Sequence, residues 1–425
     1  MALVKVPYGK EKMSVEIAEE NLLGVYESFL PVAAEDPAAE VARAMDNPIG
    51  SPRLEEIVRG KKNVVIIASD HTRPVPSRYI MPEMLKRLRK GAPDADISIL
   101  IATGCHRETS REELVSKFGE EIVDNEKIIV HDSTDKAMMV KLGTLPSGGE
   151  LVVNKLAVEA DLLVSEGFIE PHFFAGFSGG RKSVLPGIAA RETVLANHCS
   201  EFIRSPYSRT GNLAGNPIHE DMVFAGKTAK LAFIVNVVIN HEKKIIRAFA
   251  GDMEKAHETG CEYLKDKCRV DVPPADIVIT SNGGYPLDQN VYQSVKGMTA
   301  GEAVCKEGGV IILSASCCDG HGGEAFCKVL SDAASPQELW DRLLAIPRNQ
   351  TSPDQWQYQI LARILNRFKV ILVTRDCDHA MLRRMKLETA SSLEEAVEKA
   401  YQFTSPAAKV AVIPDGVSVI SCVKA

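Results

Sequence analysis

The chain has no apolar run long enough to span a bilayer, no excess of basic charge and no cysteine framework. Its longest apolar stretches, such as Leu231-Ala-Phe-Ile-Val-Asn-Val-Val-Ile239, have the length of a strand. They fall well short of the ~20 residues a membrane helix needs. A net charge of −7 argues against a nucleic-acid partner, which asks for a basic surface. The opening Met1-Ala-Leu-Val-Lys-Val-Pro7 has no long apolar region behind a basic one, so no secretory signal is read and a cytoplasmic location is expected. The ten cysteines are scattered without disulfide spacing, and reduced thiols follow. Cys317-Cys318 beside His321 suggests a metal; the preferred reading is buried small hydrophobes.

Two nucleotide-binding signatures are also missing. In Gly176-Phe-Ser-Gly-Gly180-Arg-Lys182 three residues separate the outer glycines and Arg181 precedes the lysine. A Walker loop has four, with lysine directly after the second glycine. No G-x-G-x-x-G follows the first strand, so an exchanging dinucleotide in a Rossmann turn is not supported.

What is present is an alternation of strands and helices. Asn63–Ala68, Asp96–Ala102, Lys127–Val130 and Asp161–Val164 are short apolar runs rich in β-branched residues, the pattern of buried parallel strands. Helical stretches lie between them, including Tyr79 to Leu88 and Arg111 to Phe118; Thr109 and Ser110 are cap candidates for the second. Val272-Pro273-Pro274 stiffens the chain before a strand at Ala275–Thr280, and the alternation resumes with Val310–Leu313, Lys369–Val373 and Lys409–Ile413. A length of 425 residues exceeds one ordinary core. The expected fold class is therefore α/β: two α/β domains, residues 1–270 and 271–425, with mostly parallel sheets and the active site in the cleft between them.

Several strands end in polar clusters. Asp70-His-Thr72-Arg73 follows the first and Gly104-Cys-His106-Arg107 the second. His131-Asp132 follows the third, and Asn282 to Lys296, with Tyr292 and Gln293, lies beyond 279. Asp70 and Thr72 read also as caps of the next helix, His131 as a strand end with a turn, His71 as a packing or turn residue and His219 as a helix-start residue. The densest cluster is Glu170-Pro-His172-Phe-Phe-Ala-Gly-Phe-Ser-Gly-Gly-Arg-Lys182-Ser183, with His198 beyond it. Its glycine loop is able to hold a phosphate through backbone N–H groups and Arg181, which leaves a phosphate-binding kinase or transferase as a reading. Its lysine is also placed to become a covalent anchor, since a desolvated lysine beside a cation loses its proton more easily.

The run Glu170 to Gly187 closely resembles the signature of the lactate racemase family that carries a nickel-pincer nucleotide. Asp70-His-Thr-Arg-Pro74, Gly104-Cys-His-Arg107, Asn197-His198, Gly215 to Asp221, Gln289 to Gly297 and Asp354-Gln-Trp356 follow in the family's order. The resemblance implies a racemase of a small 2-hydroxy acid, lactate or one with another side chain. It implies nickel and a pyridinium-3,5-bisthiocarboxylic acid mononucleotide attached covalently to Lys182, with His198 as nickel ligand. His106 and His172 match the acid/base pair. Asp70, Thr72, Arg73 and Trp356 match cofactor-binding positions, and Arg73, Tyr292, Gln293 and Lys296 match substrate-binding ones. Enzymes that build the cofactor and insert nickel are implied as partners.

Overall fold

The computed structural model describes residues 1–424, and the chain forms two compact units. One consists of Leu30–His198 and Ser205–Asp266. The other consists of Met1–Phe29, Cys199–Arg204 and the residues from Lys267 onward.

The sheet of the Leu30–Asp266 unit has six strands, in the order Ile245–Gly251, Leu231–Ile239, Leu162–Phe168, Asn63–Ser69, Asp96–Ala102, Lys127–Val130. All neighbours are parallel except the Ile245–Gly251 edge. Central strands of such a sheet are apolar on both faces, and Leu162–Phe168 is buried at every position. Val64, Ile66, Ala68, Ile97, Ile99 and Ile101 pack with residues of the Pro37–Asp46 and Ser77–Gly91 helices. Burying one such aliphatic side chain contributes roughly 1.5–3 kcal/mol, so this layer fixes the register and with it the loops at the strand ends. The Arg111–Phe118 helix starts where the sequence predicts. Ser110 Oγ accepts from the Glu113 N–H at 3.3 Å, and the Glu113 carboxylate accepts from the Ser110 N–H at 2.9 Å.

The sheet of the second unit is wholly parallel, in the order Glu388–Ala390, Lys369–Val373, Cys305–Ser314, Ala275–Ser281, Val410–Ile413, Leu22–Val25. Both units are thus α/β with mostly parallel sheets, as expected. The expected division into 1–270 and 271–425 is corrected at the N-terminus. Ala2–Tyr8 and Glu11–Ile17 form a hairpin whose alternate residues Val4, Val6, Tyr8, Met13, Val15 and Ile17 join the core of the second sheet. Leu22–Val25 then adds an edge strand to that sheet. Burial of one face of each hairpin strand, rather than sequence proximity, decides where this segment belongs. The later passage between units falls at Asp266–Lys267, close to the predicted boundary. No helix among the described residues is long and apolar enough to cross a membrane.

Gly91 closes the Ser77–Gly91 helix against Leu54–Ile57; a Cβ there would lie 2.2 Å from Glu55 O and 2.5 Å from Val58 Cγ1. Helix propensity alone favours Gly91→Ala by about 1 kcal/mol. The clash is with a backbone carbonyl, which cannot rotate away, and overpacking costs about 1–3 kcal/mol. Gly91→Ala is therefore expected to lower the midpoint of denaturant unfolding; a higher midpoint contradicts the close approach.

Candidate active site

The chain enters its first sheet at Asn63–Ser69, moves outward through Asp96–Ala102 to Lys127–Val130, and returns on the other side with Leu162–Phe168. Such a reversal opens a crevice at the C-terminal strand ends. The loops that leave the three central strands there carry Asp70–Arg73, His106 and His172. Glu166, buried in the returning strand, ties the crest together. Its Oε1 accepts from Ser69 N–H and Ser69 Oγ at 2.8 Å each, and its Oε2 accepts from Ser77 Oγ at 2.9 Å.

Asp70 is 1 % exposed. Its Oδ1 accepts from Thr72 Oγ1 at 2.7 Å, and its Oδ2 lies 2.7 Å from His106 Nδ1. Burial pulls the Asp70 carboxyl upward, but His106, Thr72 and Arg73 outweigh it and hold its pKa below the usual carboxylate value. A carboxylate only accepts, so the His106 proton sits on Nδ1 and Nε2 is left as the basic atom. The cap reading of Asp70 and Thr72 does not hold, because the next helix begins at Ser77. His71 bonds Thr109 Oγ1 at 3.0 Å, the packing role expected of it. Arg73 is exposed, and its guanidinium makes no hydrogen bond or ion pair among the described residues; its carbonyl accepts from Lys117 Nζ at 3.2 Å. Nothing in the sequence marks Lys117 out. Burial lowers its pKa, opposed by Glu166 and Asp70.

The glycine run begins as a short hairpin, Pro171–His172 against Gly176–Phe177. His172 Nδ1 accepts from the Ala175 N–H at 3.3 Å, and its Nε2 lies 3.4 Å from Lys182 Nζ. The Phe174 ring links three predicted groups: its centroid is 4.6 Å from that of His172, 5.2 Å from that of His198 and 5.8 Å from Lys182 Nζ. Were residues 182–198 one straight helix, their ends would stand about 24 Å apart at ~1.5 Å per residue. Instead Lys182 lies in the short Gly180–Ser183 turn, the chain bends through Pro186-Gly187, and His198 caps the Arg191–Asn197 helix. Gly104 N–H donates to Gly187 O at 2.9 Å, and His131 Nε2 meets Ala189 O at 3.1 Å. These bonds clamp the bend, which confirms the structural reading of His131.

His198 is 5 % exposed, and its Nδ1 bonds Val194 O at 2.9 Å. The proton therefore sits on Nδ1 and Nε2 is the acceptor. Burial, then the charge of Lys182, pushes its pKa down to about 3. A neutral imidazole with its second nitrogen fixed by a carbonyl is the metal-ligating form.

Arg181 departs from its predicted use. It is wholly buried. Its Nε donates to His219 Nδ1 at 3.0 Å, one terminal nitrogen to Phe177 O at 2.8 Å and Gly179 O at 3.2 Å, and the other to Ala175 O at 2.8 Å. His257 Nε2 lies 3.0 Å away and also meets Ser178 O at 2.8 Å. The guanidinium faces inward onto its own loop, so the phosphate-binding reading of Arg181 is corrected. Gly180, at φ +53°, has no room for a side chain: a Cβ would come within 2.6 Å of the His257 ring.

In the second unit the predicted residues cluster on their own crest. Tyr292, Gln293 and Lys296 occupy the first turns of the Val291–Glu302 helix, which Asn290 caps by accepting from the Gln293 N–H at 2.9 Å. Positions 292 and 296, four apart, share a helix face. Tyr292 OH donates to Asp354 Oδ1 at 2.8 Å, two residues before Trp356.

Residues 8–211 match the family model described as the lactate racemase N-terminal domain, and residues 270–421 the one described as the lactate racemase C-terminal domain. The chain belongs to the lactate racemase family. It is an isomerase. Lactate racemases of Thermoanaerobacterium thermosaccharolyticum and Lactiplantibacillus plantarum are each 56 % identical over 422 residues, spanning 99 % of this chain and 99 % and 100 % of theirs. The solved lactate racemase apoprotein from T. thermosaccharolyticum matches with TM-score 0.96 at 55 % identity, over 99 % of this chain and all of that one. A Thermotoga maritima protein, 20 % identical with TM-score 0.62 over 93 % of this chain and all of that one, shares the fold.

The buried imidazoles set a pH dependence. Burial and then Arg181 push His219 down to about 3 and His257 well below the ordinary value of 6.5. The unfolded chain takes up protons near pH 6.5 that the folded chain refuses, so stability is full above that value and falls as pH drops through it. The denaturant midpoint of the unloaded protein is expected to decline steadily from pH 7 to pH 5; a flat profile contradicts the neutral assignment.

Proposed function

We propose that the protein interconverts the D and L enantiomers of lactate through a 2-keto acid, using a nickel-pincer nucleotide tethered at Lys182. The observation that carries this reading is the joining of Lys182, His172 and His198 around Phe174 on the loop that follows the central strand.

The residues fit such a group. His198 is neutral and its ring is held through Nδ1 by Val194 O, the form in which an imidazole would ligate nickel. Among the described residues no three His, Cys, Asp or Glu side chains are arranged to hold a metal. His198 would hold the nickel from the protein side, and soft sulfur donors on the organic group would suit nickel beside an imidazole. Lys182, beside His172, would supply the amine of the thioamide. When bound, the group supplies the acceptor for the hydride leaving C2 and returns it.

The protein's own residues handle protons and orientation. Removing the C2 hydrogen as a proton would place carbanion charge beside the substrate carboxylate. Removing the hydroxyl proton while hydride leaves C2 avoids that charge and yields a planar 2-keto acid. Hydride delivered to its other face gives the opposite enantiomer. The hydroxyl points differently in the two enantiomers, so two bases are required, and His106 and His172 are assigned to them. Asp70 holds His106 with Nε2 outward and stabilises the imidazolium that forms, and Thr72 fixes Asp70 in turn. Arg73 and Lys296 are assigned to the substrate carboxylate, with Tyr292 and Gln293 beside the substrate and Trp356 beside the nucleotide; an unpaired guanidinium suits a carboxylate.

Lactate deuterated at C2 is expected to racemise with a primary isotope effect and to keep most of its label, without added NAD or ATP. Rapid washout of label into water contradicts hydride transfer.

His106→Ala and His172→Ala are each expected to stop net racemisation. Each variant should still reduce the cofactor with the enantiomer its surviving histidine serves, while the half-reaction that lost its base slows about 10²–10⁴-fold. Cofactor bleaching on mixing with each pure enantiomer reads this. Equal loss of both half-reactions in both variants contradicts the two-base assignment.

A further inference from the structure

We propose that Arg181 is a positioning residue, whose buried guanidinium holds the loop between His172 and Lys182 in the shape the reaction needs. The proposal rests on the assignment of those two residues to the reacting site. Four carbonyls of that one loop, from Ala175, Phe177, Ser178 and Gly179, converge on the two terminal nitrogens at 2.8, 2.8, 3.4 and 3.2 Å. The third nitrogen reaches His219, on the Pro217–Thr228 helix, and His257 arrives from the Lys255–Cys268 helix. The loop is thus closed around a cation that two helices fix from outside. Among the described residues the guanidinium bonds loop carbonyls and imidazoles and meets no carboxylate. Burial draws its pKa down to about 10, and it stays charged at neutral pH.

This arrangement asks for arginine in particular. Donors fixed in a plane serve acceptors spread around the loop, where a lysine offers one point charge with a different reach. Without the guanidinium, Ala175 O and Phe177 O lose their donor inside a buried loop, and the segment carrying His172 and Lys182 must move to recover one. A displacement of about 1 Å at reacting groups costs ~10²-fold in rate.

The test uses Arg181→Met and Arg181→Lys, with His172→Ala as the reference for the site assignment. At a temperature where circular dichroism shows the variants folded, kcat of loaded enzyme is expected to fall about 100-fold in both Arg181 variants, with KM changed only a few-fold. In unloaded Arg181→Met protein, the rate at which a small amine-acylating reagent modifies Lys182, mapped by peptide mass, is expected to change at least several-fold. Wild-type kcat and wild-type Lys182 reactivity in a folded variant overturn the positioning role. If His172→Ala keeps full activity, the site assignment falls instead. Should neither Arg181 variant fold, His219→Ala, which strips the acceptor from the Nε side, takes their place: a lowered kcat with altered Lys182 reactivity supports the positioning role, and wild-type values of both overturn it.

Discussion

The order of strands reverses at Asn63–Ser69, and the position of every predicted group of the first unit depends on that reversal. A parallel sheet whose connections leave in two directions cannot cover the ends of its central strands. The loops after Asn63–Ser69, Asp96–Ala102 and Leu162–Phe168 must share that uncovered crest. Asp70 and His106 meet there because their strands are hydrogen-bonded neighbours. Glu166 fastens the returning strand to Ser69 and Ser77. The bend at Pro186-Gly187 brings His198 back to Phe174, and Gly104 and His131 pin that bend from adjoining loops.

Environment divides the histidines into two groups. His106 keeps a partly exposed ring, 42 % accessible at the side chain, with the buried Asp70 carboxylate at its back. His198, His219 and His257 are held neutral by burial beside cations. Arg181 contributes a positive charge that meets no carboxylate among the described residues, and Lys117 a second cation beneath the Asp70–Arg73 loop.

Much of this is legible in the sequence, because the informative signals are local. Asp96–Ala102, Lys127–Val130, Leu231–Ile239 and Lys369–Val373 stand out to the residue, as apolar runs bounded by polar ends. The Ser110 cap is equally plain. The N-terminal hairpin carries a period-two pattern, Leu-Val-Lys-Val-Pro-Tyr and Met-Ser-Val-Glu-Ile, yet no local signal says that its partner sheet lies more than 250 residues away. The glycine run and its histidines are conspicuous through density. The inward turn of Arg181 is not, since His219 and His257 lie 38 and 76 residues further on. Glu166 leaves a trace, a lone carboxylate in a strand that is buried at every position. Lys117 leaves none.

The central claim is that Lys182 is an anchor rather than a free cation. Intact-mass measurement of the protein purified from its native host, followed by peptide mapping, tests it most directly. The account predicts added mass equal to a metallated mononucleotide, located on the peptide that contains Lys182. Protein that racemises lactate while every Lys182 peptide carries only its unmodified mass would contradict it.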